Sequence, residues 1–300
     1  MSRPNRLSRR RFLQCAGTGA AAVLPASVLA QQQGGNREGK PANSPAASPA
    51  AKKRKSHKYE DLLPEDFYEE LARAPIAYWG CGAMEEHGLH NPQGTDLYAA
   101  YEICLRAVEI SGGIVFPPVP FAPAYFPGLS RRELRDRTKE LFPPSLWTSG
   151  ELCKQIYVEL LESLADLGFK ACIAFGGHAP ADALLERIEK EVDGRVGEMK
   201  FWGGGTVSIL RDHLQEEAKK NPLAMGHGMM WETSLVMAIR LDWVDLPRAR
   251  RIKENALPSQ LKKQTPERLE FITTANAEYG NRVLNLAAQR AAKLAQDMLR

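Results

Sequence analysis

The sequence is most informative first in what it lacks. Its five cysteines, Cys15, Cys81, Cys104, Cys153 and Cys172, include no C-x-x-C pair, which argues against a thiolate zinc site. Cys104, Cys153 and Cys172 sit in apolar patterns and read as small buried side chains. Cys81 reads the same way, with a nucleophilic role as the more distant alternative. The glycine run at 203–205 lacks the G-x-G-x-x-G spacing of a dinucleotide site. No internal repeat is present. Acids are nearly missing from residues 1–58, which hold twelve Lys/Arg against Glu38 alone. The remaining 28 bases and 35 acids leave residues 59–300 at −7, so the formal +4 of the chain is a property of its N-terminus. That balance gives no global argument for nucleic acid or an anionic membrane as partner.

The N-terminus reads as targeting rather than fold. Ser8-Arg9-Arg10-Arg11-Phe12-Leu13 precedes an Ala/Gly-rich, mildly apolar run from Cys15 to Ala30. This resembles a twin-arginine export signal over residues 1–30, with Val28-Leu29-Ala30 as the cleavage site. The run is shorter than the roughly 20 apolar residues of a spanning helix, so stable membrane insertion is not expected. Residues 31–58 are Gln, Gly, Asn, Pro, Ala, Ser and Lys and read as a disordered linker. The expectation is an exported protein, periplasmic or extracellular, whose folded body spans 59–300.

In that body, strand-like apolar runs alternate with helical periodicity. This predicts a layered α/β domain with a largely parallel sheet flanked by helices. Helices are expected at 61–73, 96–110, 149–167, 183–191 and 231–240, with one long helix over most of 266–300. Strands are expected at 76–79, 114–120 and 171–175, with one or two more within 199–210. The stripe Leu152, Ile156, Leu160, Leu161 and Leu164 marks the buried face of the 149–167 helix.

The chemistry gathers in three short segments. Glu85 to Asp96 reads E-E-H-G-L-H-N-P-Q-G-T-D and leaves the first expected strand. In extended chain, residues two apart face the same way, so Glu85 and His87 project together with Glu86 turned away. Gly88, Pro92 and Gly94 let the chain curl and return Asp96 to them. Carboxylate, imidazole and carboxylate form a ligand set for zinc, manganese or iron. The second segment, Gly176-Gly177-His178-Ala179-Pro180, ends the 171–175 strand and brings His178 to the sheet's carboxyl edge. The third, Gly226-His227-Gly228-Met229-Met230-Trp231-Glu232-Thr233-Ser234, sets a histidine five residues before an acid.

Together these segments resemble the creatininase family of metal-dependent amidohydrolases. That family's patterns are E-[EQ]-H-G-x-H-x-P-x-x-T-D, G-G-H-G-x-N and H-A-G-x-x-E-T-S. The resemblance covers about residues 64–300. It implies that Glu85, His87, Asp96, His178 and Glu232 hold one or two divalent ions, with Asp96 best placed to bridge. It implies His227 as the proton donor, with Glu232 a catalytic acid or ligand. The implied substrate is a small molecule with a cyclic or linear amide C–N bond, attacked by hydroxide drawn from acidified water. A homo-oligomer, hexameric in relatives, is also implied. Departures are visible. Pro180 and Ala181 stand where relatives supply a second polar residue, and no acid precedes His227. In the loop 117–144, Phe126-Pro127-Gly128 is followed by Leu129 rather than threonine, and then by the charged run Arg131-Arg132-Glu133-Leu134-Arg135-Asp136. The alternative is a non-catalytic metal- or ligand-binding protein of the same fold. The discriminating observation is whether Glu232 and His178 face the Glu85–Asp96 cluster.

Overall fold

A computed structural model describes residues 56–123, 132, 133, 136, 145, 146, 148–251 and 265–300. The expected signal, the linker up to residue 55, and Phe126 to Arg131 lie outside the described residues. Chain order runs α1 (Pro64–Arg73), β1 (Ile76–Cys81), α2 (Thr95–Ser111), β2 (Ile114–Val115), α3 (Gly150–Asp166), β3 (Ala171–Gly176) and α4 (Ala179–Glu191). It continues with β4 (Arg195–Val196), β5 (Met199–Gly205), α5 (Thr206–Ile209), α6 (Arg211–Lys220), α7 (Met230–Ile239) and α8 (Leu246–Ala249). Last come α9 (Pro266–Ile272) and α10 (Ala277–Met298).

The strands form one sheet in the order β2-β1-β3-β5-β4, parallel except for the β4–β5 pair. β1 and β3 are buried along their whole length and carry continuous apolar runs, as a strand covered on both faces must. Alternation then sorts their side chains between two cores. Ile76 and Tyr78 of β1, with Ile173 and Phe175 of β3, join α2, α7 and α10 on one face. Ala77, Trp79 and Cys81, with Cys172 and Ala174, join α3 and α4 on the other. The result is a three-layer α/β/α arrangement.

β1, β3 and β5 end level: Cys81 pairs with Gly176, and Gly176 with Gly205. From β1 the chain moves to β2 on one side, and from β3 it moves to β5 on the other. The β1–β3 seam is therefore the topological switch point, where loops from both strands diverge and leave a crevice at the carboxyl edge.

Several expectations need correction. The buried line of α3 is Cys153, Tyr157, Leu161 and Leu164, one position out of phase with Leu152, which is half exposed. The strand expected over 114–120 is two residues of ladder plus a single bridge from Val119 to Cys81. Val207-Ser208-Ile209 are helical, because β5 stops at Gly205. The terminal helix is two helices: Asn276 interrupts it and accepts from the Tyr279 N–H as the cap of α10. α4 begins at Ala179, not 183, with Pro180 in its first turn. Order also begins before residue 59. The Val115 N–H donates to the His57 carbonyl and Lys58 bridges to Val115, so 57–58 extend the sheet edge. Among the described residues no helix is long and apolar enough to cross a membrane.

Candidate metal centre

The loop after β1 and the turn after β3 open onto the same crevice. Glu85, His87, Asp96 and His178 are all buried there, and Glu232 joins them from the first turn of α7. His178 Nδ1 lies 2.9 Å from Glu85 Oε1 and 3.2 Å from Asp96 Oδ2. His87 Nε2 lies 2.9 Å from Asp96 Oδ1 and 3.8 Å from Glu232 Oε2. Asp96 thus turns one oxygen to each histidine. Three groups of possible ligands result, each with ligand atoms within 4.8 Å of one another: the two triads that share Asp96, Glu85–Asp96–His178 and His87–Asp96–Glu232, and a more exposed set, Glu85–His87–His227.

Close backbone packing creates this geometry. A Cβ on Gly177 would fall 1.9 Å from the Asp96 carbonyl oxygen, and one on Gly82 would fall 2.4 Å from the Leu97 nitrogen. The start of α2 therefore sits directly on the ends of β1 and β3. The Gly177 N–H donates to the Cys81 carbonyl at 2.8 Å and holds the two strand ends together. Neither Gly176 nor Gly177 has a positive φ, so their role is to leave room rather than to make a special turn. Gly88 does require the left-handed region, at φ +80.

His227 is the outer member of the group, with 42% of its side chain exposed. Its ring lies on that of His87, with centroids 4.3 Å apart. Its Nε2 donates to the Glu86 carbonyl. Its Nδ1 therefore faces the centre, 3.8 Å from Glu85 Oε1. Glu86 points elsewhere, its Oε1 accepting from the Gly88 N–H at 2.5 Å.

The electrostatics follow from packing three carboxylates against two imidazoles away from water. Burial opposes charge on His178, but Asp96 and Glu85 outweigh it and raise its pKa to about 10. Burial likewise opposes charge on His87, and Asp96, then Glu232 and Glu85, raise it well above its ordinary value. Burial would raise Asp96, but His87 and His178 hold its carboxyl far below the usual range. Glu232 is raised, chiefly by burial, with His87 and His227 pulling the other way. Buried carboxylates at this density demand compensating positive charge. Protonated imidazoles or divalent cations satisfy that demand. The donor set of carboxylate oxygens and imidazole nitrogens fits zinc, manganese or iron.

Some functional-looking residues fall outside the triads. Asp182, just after the G-G-H turn, is buried against Gly176 and Gly205 and belongs to none of these groups. Burial and then Glu186 push its carboxyl well up. Cys81 is fully buried and its thiol is pushed far up by burial, which leaves it a packing residue. Sequence reasoning did not single out His90, Asn91 and Thr233. They form a buried polar network directly behind His87 and Glu232. Their signal was available: polar residues adjacent to, or within the same segments as, the proposed ligands.

A profile of the creatininase (creatinine amidohydrolase) family matches residues 60–295. The chain belongs to the creatininase family. A creatinine amidohydrolase of Pseudomonas putida is 22% identical over 227 residues, spanning 69% of this chain and 84% of that protein. A zinc–zinc form of a creatininase variant superposes with a TM-score of 0.59 at 20% identity, covering 81% of this chain and 98% of its own. A manganese form of creatininase gives 0.57 at 20% identity with the same coverage. At these identities the solved creatininases establish the fold, a mostly parallel five-stranded sheet flanked by helices.

Proposed function

We propose that the protein hydrolyses a cyclic or linear amide C–N bond of a small molecule with the help of one or two divalent ions. The observation that carries this reading is Asp96, buried and shared between two ligand triads through separate oxygens. Glu85, Asp96 and His178 would hold one ion, and His87, Asp96 and Glu232 the other. Glu232 on α7 thereby supplies the donor that Pro180 and Ala181 cannot. Divalent ions polarise a carbonyl and lower the pKa of water to about 7. Zinc and manganese are the first metals to try, given the forms in which related creatininases were solved.

The chain's own residues then have separable tasks. Water adds to the amide carbon, the C–N bond breaks, and the departing nitrogen takes up a proton. His227 is the proton donor this geometry favours: with its Nε2–H on the Glu86 carbonyl, its Nδ1 faces the centre and can take the proton that the attacking water gives up and pass it to the departing nitrogen. Burial of the other residues keeps bulk water from their charges, so their fields act undiminished on the reacting amide.

Glu232 and His178 both face the Glu85–Asp96 cluster, which favours this reading over the non-catalytic alternative. The test is hydrolysis of a panel of small cyclic and linear amides by zinc- or manganese-loaded protein. Turnover of at least one amide, abolished by chelation and restored by metal, supports the reading. Turnover that survives chelation contradicts it.

A further inference from the structure

We propose that His90, Asn91 and Thr233 form a polar lock that sets how tightly the His87–Asp96–Glu232 triad binds its ion, while leaving the Glu85–Asp96–His178 triad almost untouched. The inference rests on the reading that both triads bind metal.

The two triads are held in place by different physics. Glu85 and His178 follow β1 and β3, whose ends are joined by the sheet ladder and by the Gly177–Cys81 hydrogen bond. Asp96 is fixed by α2 resting on those same strand ends. That triad is a product of the sheet. His87 lies further out along the loop, and Glu232 comes from α7, which belongs to no strand ladder. Their spacing, 3.8 Å between His87 Nε2 and Glu232 Oε2, needs another tie.

The three polar residues provide one. Asn91 Nδ2 donates to the His87 carbonyl at 3.2 Å and to Thr233 Oγ1 at 2.9 Å. Thr233 Oγ1 lies 3.0 Å from His90 Nε2. The donors order themselves. The Asn91 amide uses one hydrogen on the His87 carbonyl and the other on the Thr233 oxygen. The Thr233 hydroxyl then gives its own hydrogen to His90 Nε2. This requires a neutral His90 with its proton on Nδ1. The buried surroundings favour the neutral ring. All three side chains are buried, so water does not replace a lost bond cheaply. A carbonyl belonging to one proposed ligand is thus tied to the residue that follows the other. Close packing reinforces the tie. Gly228, at φ +65, leaves just enough room for the His87 carbonyl, 2.9 Å from where its Cβ would be, and the Gly228 N–H donates to Glu232 Oε2 at 2.6 Å.

These are positioning residues, and the readout must separate positioning from general stability. Metal-free protein would be titrated calorimetrically with zinc chloride, as wild type, Thr233→Val and Thr233→Ser, with thermal melts alongside. Valine matches the shape of threonine but removes the hydroxyl, while serine keeps it. The expected result is two binding steps in wild type. In Thr233→Val one step weakens by about 10–100-fold, the usual effect of losing an outer hydrogen-bond partner. The other step stays within about threefold, and Thr233→Ser restores the pattern. Asn91→Ala is expected to act like Thr233→Val and guards against a misfolded variant. Equal weakening of both steps, no change in either, or no rescue by serine would overturn the lock. A wild type that binds a single ion overturns it as well. A wild type that binds none ends the metal reading itself, and that is seen before any variant is made.

Discussion

At the scale of single residues, the ligand candidates were legible because their chemistry is concentrated. Acids and imidazoles broken by glycine in so short a segment as 85–96 stand out, and the resemblance to the creatininase patterns tied His178 and Glu232 to them. The lock residues lie in the same segments as those candidates, but their burial was not legible, because a threonine or asparagine looks the same in a sequence whether it is buried or wet. Two predictions belong here. His227→Gln should lower amide turnover by about 10²–10⁴-fold with metal content unchanged, as expected for loss of a proton donor. Parallel loss of metal would instead make His227 a ligand. The second concerns pH. In metal-free protein His178 is raised from the usual 6.5 to about 10. Its contribution to stability is therefore complete below about pH 6.5 and is lost as pH rises through about 10. Melting curves of chelated protein should fall across that window, whereas metal-loaded protein, in which His178 is a neutral ligand, should not share that fall. Identical pH profiles for the two forms would refute the assignment of His178.

At the scale of elements, periodicity located most helices but misjudged where they stop. The apolar stripe of 266–300 runs through Thr273–Asn276 without a break in pattern, yet Asn276 caps a new helix there. Val207 and Ile209 favour strand by propensity, and the end of the sheet at Gly205 overrides them. In the G-G-H turn, Gly177 serves as a gap for α2 rather than as a residue with a special backbone angle. A direct prediction follows from that gap. Gly177→Ala places a methyl 1.9 Å from the Asp96 carbonyl oxygen, so α2 must move. We expect a loss of about 1–3 kcal/mol in denaturant unfolding, together with weaker metal binding through the displaced Asp96. Wild-type stability and metal binding in that variant would show that α2 does not rest on the turn as described.

At the scale of the whole molecule, alternating strands and helices were enough to give the layered α/β class, because strands buried on both faces write themselves as apolar runs. The crevice at the β1–β3 seam depends on strand order, which the sequence does not state. The N-terminal segment is basic, acid-poor and rich in small residues up to residue 58. We predict export through that segment. Replacing Arg9 and Arg10 with lysine should leave uncleaved precursor inside the cell, measured by fractionation and intact mass. Unchanged processing would contradict the assignment.

The most direct test of the account is the metal content of the purified protein by elemental mass spectrometry, beside an Asp96→Ala variant. The account predicts close to two zinc, manganese or iron ions per chain in the wild type, falling steeply in the variant because both triads share Asp96. A folded wild type that carries no metal, and takes none up when soaked with zinc or manganese, would contradict it.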